Sequence, residues 1–172
     1  MLRGINVGGQ KKLKMDGLKK LYESLGFRQV QTYIQSGNVV FQCSGTDILK
    51  LTNMIEKSIK QSFGFEAPAL IRTRDEFRKL IKNNPFSGKD AGKLHVTFLS
   101  NIPVHLPKEE INKAKGEAEE FSIIGREIYL FCPDGYGRSK LSNSFFARKL
   151  KLPATTRNWN TVNKLYAIAQ SR

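Results

Sequence analysis

One order of elements occurs twice along this chain, and that repetition restricts the fold more than any other feature. Hydrophobic periodicity sets out the elements. Leu18, Leu21, Tyr22 and Leu25 fall at i, i+3, i+4 and i+7, which predicts a helix over 15–25 stopped by Gly26. Strands are predicted over 30–34 and 38–41, joined at Ser36-Gly37. A second helix follows over 47–63, with Thr46 as N-cap, Gly64 as stop and Ile48, Leu51, Ile55 and Ile59 inward. A short strand is predicted over 69–71, and Thr73-Arg-Asp-Glu76 is a capping box that opens a helix with Phe77, Leu80 and Ile81 inward. Pro85 ends that helix.

The second half begins with a strand over 94–99. A helix after Pro107 places Ile111, Ala114 and Ala118 inward, and strands over 121–124 and 127–132 flank Gly125-Arg126. A helix carrying Leu141, Phe145, Phe146 and Leu150 ends before Pro153, and a strand covers 154–156. The last helix carries Val162, Leu165, Tyr166 and Ala169, capped by Asn158, Asn160 or Thr161. This half reads βαββαβ and then a helix. The first half reads alike, with its opening strand nearly missing. Val39-Val-Phe-Gln-Cys43 precedes Ile128-Tyr-Leu-Phe-Cys132 by 89 residues, and Ala69-Leu-Ile-Arg72 precedes Ala154-Thr-Thr-Arg157 by 85. Two copies at so long a period do not make a solenoid. The expectation is an α+β chain of two tandem ferredoxin-like βαββαβ subdomains, over 1–85 and 86–172, each with an extra C-terminal helix and the first with a truncated first strand.

Composition narrows the class. The 172 residues are 40% apolar, enough for a core, so disorder is excluded as the main state. No apolar run approaches the roughly 18 residues of a membrane span, and the N-terminus has no apolar signal region. Two cysteines make no disulfide framework, so a cytoplasmic setting and no membrane partner are expected. The net charge is +14. It is uneven: the last 37 residues carry eight basic groups and no acidic one, while the stretch over 102–135 is net acidic. Such a balance suits an anionic partner, either a phosphorylated small molecule or nucleic acid.

Five motifs together carry a resemblance. Arg3-Gly-Ile-Asn-Val-Gly-Gly9, Thr32-Tyr-Ile-Gln-Ser-Gly-Asn-Val-Val-Phe41, Asn84-Pro-Phe86, Gly137-Arg-Ser-Lys140 and Thr155-Thr-Arg-Asn-Trp-Asn-Thr-Val162 resemble the bacterial domain-of-unknown-function family 1697. The resemblance implies two similar ferredoxin-like subdomains and supplies no activity. It also implies several apolar residues ahead of Leu2, where this chain has Met1.

Three loops are candidate anion sites. In the first, Arg3, Asn6, Gly8, Gly9 and Lys11 lie ahead of a helix. Glycines let backbone N–H groups approach a ligand there. The spacing is neither GxGxxG nor a phosphate-binding P-loop, and the plainer reading is a tight turn. In the second, Arg138, Ser139 and Lys140 offer cations and a hydroxyl, or else a connection in which Ser139 or Ser142 caps the next helix. In the third, Thr156, Arg157, Asn158 and Trp159 offer a bidentate guanidinium and a stacking ring, or else a helix cap and a core tryptophan. Ser36 and Asn38 read most simply as a hairpin turn. In the second subdomain, Gly137 and Arg138 are expected at one sheet end, and Arg126 with Arg157 at the other.

Catalytic constellations are poor. HExxH, CxxC and G-x-S-x-G are all missing, and no spacing suggests a metal site. His95 is expected exposed or hydrogen-bonded, and Cys43 and Cys132 buried. Glu109, Glu110, Glu117, Glu119 and Glu120 read as a solvated helix face. No cofactor or catalytic residue is assigned. An anion-binding role ranks first, with a regulatory or protein-interaction module presenting a basic face as the alternative.

Overall fold

The structure, a computed structural model, describes residues 1–171. It is α+β, with six α-helices and two antiparallel sheets among the described residues. The chain divides into two compact units: Met1–Ile71 with Ala167–Arg172, and Arg72–Tyr166. No described helix is long and apolar enough to cross a membrane.

In the first unit, α1 (Met15–Ser24) precedes the hairpin of β1 (Arg28–Tyr33) and β2 (Asn38–Gln42), and α2 (Ile48–Phe63) follows. Asp47 caps α2, accepting a hydrogen bond from the Lys50 backbone N–H at 3.0 Å. Thr46 was the expected cap, but the carboxylate one residue later fills the position and complements the helix dipole. Gly64 ends α2 in the left-handed region at φ 76°. The strand expected over 69–71 is reduced to one bridge, Leu2 to Ala69. Around it the Met1 and Leu70 backbones exchange hydrogen bonds, and Arg3 N–H donates to the Pro68 carbonyl at 2.9 Å. Only these few residues of the opening segment pair, so the first sheet is a hairpin plus a bridge. Leu2, Ile5, Leu18, Tyr22, Ile55 and Ile59 form the core under it. Cys43 is exposed, against expectation, because it lies just past the end of β2.

The second unit begins with α3 (Arg74–Lys82), opened by the Thr73–Glu76 capping box with both hydrogen bonds in place. Four strands follow: β3 (Leu94–Leu99), β4 (Glu120–Ile124), β5 (Glu127–Phe131) and β6 (Ala154–Asn158), in the order β4-β5-β3-β6, all antiparallel. The helices α4 (Lys108–Ala114) and α5 (Asn143–Leu150) make the crossovers, and α6 (Trp159–Gln170) ends the chain's described part. That order with those crossovers is the βαββαβ arrangement of a ferredoxin-like sheet. Strand parity separates the two faces. Leu99, Ile128, Leu130 and Ala154 pack with Ile111 of α4 and Phe146 of α5. Val96, Phe98 and Tyr129 occupy the other face and are also buried; Phe77 of α3 lies 5.8 Å from Phe98, ring centre to ring centre. α4 is shorter than its periodicity implied. It stops at Ala114, and Gly116 turns the chain so that Glu119 is buried and accepts from the Gly116 N–H at 2.8 Å. Glu119 is therefore no part of a solvated helix face. Glu120 belongs to β4, where it pairs with Lys89.

Candidate functional site

The first glycine loop is a tight turn. Val7 and Gln10 form a bridge, and Gln10 N–H donates to the Val7 carbonyl at 3.1 Å. Gly8 and Gly9 between them take φ 59° and 75°, as a two-residue turn of the primed type requires. Asn6 holds the loop shut: its amide donates to the Leu13 and Gln35 carbonyls, and its oxygen accepts from the Leu13 N–H. Lys11 donates to the Glu66 carbonyl at 2.5 Å. These groups are engaged within the unit. Asn38 is fully buried, and its amide donates to Ser36 Oγ and the Tyr33 carbonyl, which braces the β1–β2 turn.

Ile34 in that turn has φ 49° and a half-exposed side chain. A β-branched residue in the left-handed region carries a strain of roughly 1–2 kcal/mol. Ile34→Asn is expected to raise stability by about 1 kcal/mol, read as a higher denaturation midpoint. An unchanged or lower midpoint would show that the isoleucine's contacts outweigh its backbone cost.

In the second unit the other two candidate loops meet. Cys132 N–H donates to the Lys93 carbonyl, and the chain then winds through Gly135 (φ 94°) into a short 3-10 turn, Tyr136–Arg138. Tyr136 OH donates to Thr156 Oγ1 at 2.9 Å, and Thr156 shares a 2.7 Å hydrogen bond with Thr97. The Tyr136 oxygen also accepts from the Asn143 N–H. The His95 ring stacks on Tyr136 at 4.7 Å. The ring is half-buried, and its Nδ1 has no hydrogen-bond partner. Burial holds its pKa below the ordinary value, partly offset by the Lys93 backbone. Ser139 accepts from the Leu141 N–H, while Ser142 caps α5. Arg138 and Lys140 are exposed. Burial pushes the Cys132 thiol up to about 11, as expected of an inert thiol.

Arg157 pairs with Val96, toward the end of β3 opposite Arg126, so the two do not share a sheet end, contrary to expectation. It is buried, and its guanidinium donates to Thr155 Oγ1 and the Thr156 carbonyl, both at 2.8 Å. Burial brings its pKa down to about 10. Asn158 accepts from the Asn160 N–H and so caps α6, whose first residue is the half-buried Trp159.

The opposite end of this sheet holds a concave site the sequence did not single out. Leu99 N–H donates to the Arg126 carbonyl at 2.8 Å, and Ser100 N–H to the Pro153 carbonyl at 3.0 Å. These bonds draw together the loop after β3, the β4–β5 turn and the α5–β6 connection. They enclose a cleft of about 730 Å³ lined by Asn101, Ile102, Val104, His105, Arg126, Lys149, Leu150, Lys151 and Leu152. Four basic residues face it and no carboxylate lines it. Two carboxylates sit behind the cations: Glu110 pairs with Lys149, and Glu76 with Arg126. Lys151 ends α5 in the left-handed region, at φ 54° and ψ 35°. Glycine is the favoured residue there, so a lysine occupies that position at a backbone cost. The signal was present in the sequence as a helix that stops before Pro153 with no glycine to stop it.

Two compact α+β units, the second a four-stranded antiparallel sheet with a basic cleft at one end, define the class. The chain belongs to the family described as proteins of unknown function, DUF1697, which matches over residues 1–129. The match takes in Arg126 and ends before Lys149 and Lys151. The structure of the conserved bacterial protein SP0830 from Streptococcus pneumoniae is similar, with a TM-score of 0.72 and 21% identity, covering 98% of this chain and 96% of that one. At that identity the likeness is one of fold. No curated protein matches.

Proposed function

We propose that the second unit binds a small anionic ligand in the cleft bounded by Arg126, Lys149, Lys151 and His105. The observation that carries this reading is the convergence of four basic residues on one concavity without a lining carboxylate. Its volume lies within the range of small-molecule sites. The pairs with Glu110 and Glu76 are partly exposed, so water screens them and they exchange readily for an incoming anion. A small ligand is favoured over nucleic acid for two reasons. No Phe, Tyr or Trp lines the cleft to stack a base. On the sheet face of Phe98 and Tyr129 those two rings are buried, and the half-buried Phe131 already carries Lys89 over its ring, 4.3 Å from the centre.

Lys151→Gly is the decisive variant. It suits the left-handed backbone, so it is expected to stabilise the α5 end by about 0.5–1 kcal/mol while removing one cation. Calorimetric titration with inorganic phosphate and pyrophosphate is expected to show salt-sensitive binding. Lys151→Gly should weaken it about three- to tenfold, and Arg126→Ala by at least as much. Wild-type binding that both variants leave intact, or no binding at about 50 mM salt, would sink the reading.

A further inference from the structure

We infer that the anion taken by this cleft carries an aliphatic chain. The inference rests on the anion-binding reading and adds the class of ligand. Apart from Asn101 and the four basic residues, the lining is wholly aliphatic: Ile102, Val104, Leu150 and Leu152. A bare phosphate would fill only a small part of the volume and leave that lining wet. Val104 is 106% exposed and Ile102 66% exposed, on a loop stiffened by Pro103 and Pro107. Their apolar surface stands in water beside the cations instead of folding into the unit's core. An occupant with a charged head and an alkyl body satisfies both parts at once: the head meets Arg126, Lys149 and Lys151, and the body covers Ile102 and Val104. A medium-chain alkyl phosphate or carboxylate, free in solution, has that chemistry.

Calorimetric titration with methyl, butyl, hexyl and octyl phosphate, each below its micelle concentration, tests this. Affinity should rise about two- to fourfold per methylene until the cleft is filled. The double variant Ile102→Ser with Val104→Ser changes exposed side chains only and should fold normally. It should flatten the chain-length dependence, weakening octyl phosphate far more than methyl phosphate. Lys151→Gly should weaken every member by one factor and leave the slope intact. Equal affinity along the series, or a slope that survives the double variant, would overturn the aliphatic chain and leave the anion reading standing. Binding only to anionic lipid vesicles would overturn it as surface adsorption. If no member of the series binds, both readings fall together.

Discussion

Glu127→Ala is expected to cost the second unit about 3 kcal/mol, near the lower end of what breaking a buried ion pair costs. Arg72 stands just before the capping box of α3, and only 2% of its side chain is exposed; that of Glu127 is 18% exposed. Burial lowers the Arg72 pKa by disfavouring its charge, and the Glu127 carboxylate at 2.7 Å works in the opposite direction. The same guanidinium donates to the Leu99 carbonyl at 2.6 Å and the Arg126 carbonyl at 3.3 Å. It lies 5.7 Å from the Phe98 ring. Removing the carboxylate takes from a buried cation the larger of the two carboxylate charges that act on it, Glu127 and Glu76, and that penalty exceeds the loss of one hydrogen bond. The thermal midpoint of this unit should fall by about 12–24 °C. Glu127→Gln keeps an acceptor in the same place and should lose less. A Glu127→Ala midpoint within 1 °C of wild type would show that Arg72 does not depend on this partner. Because Arg72 also holds the Arg126 carbonyl, the Ala variant tests how firmly one wall of the cleft is fixed.

Much of the second unit could be read from residues. β3 spans the residues expected of it, with Leu94, Val96 and Phe98 alternating onto one face. The capping box of α3 was legible because its two hydrogen bonds depend on residues three apart in sequence. The first unit was less so. A strand needs a partner, and the 69–71 segment found only residues 1–3 to pair with, which periodicity cannot report. The candidate sites followed the same division. Glycine clusters are visible in sequence, yet Gly8 and Gly9 serve a turn and Gly135 opens a 3-10 turn. The cleft instead gathers residues from three segments around 101–105, 126 and 149–152. Neither charge nor spacing marks such a gathering, because the β-sheet register brings it about. The acid-free tail supplies Lys149 and Lys151 to the cleft, and the left-handed backbone of Lys151 marks one particular position within it.

Gly37→Ala is expected to destabilise the first unit by about 2–4 kcal/mol, for two separable reasons. Gly37 takes φ 75° in the β1–β2 turn, where an L-residue is strained. A Cβ there would also stand 2.7 Å from Ile5 Cδ1 and 2.8 Å from Leu2 Cβ. The Ile5 atom is the far end of a flexible side chain and can give way. Leu2 does not, because its N–H is tied to the Gly37 carbonyl at 2.9 Å and its neighbours bond to residues 68–70. Those bonds, with the buried Leu2 side chain, tie the opening segment to the first unit, so displacing Leu2 should loosen the hairpin and the bridge together. Gly64→Ala separates the two causes. Gly64 has φ 76° with nothing within 4 Å of the added carbon, so it carries the backbone cost alone, about 1 kcal/mol. Denaturation midpoints should therefore rank wild type, Gly64→Ala and Gly37→Ala in falling order. Amide exchange in the Gly37→Ala variant should quicken first over residues 30–42. Equal losses for the two variants would mean that Leu2 yields without cost, and the opening segment would then lie over the hairpin turn without holding it in place.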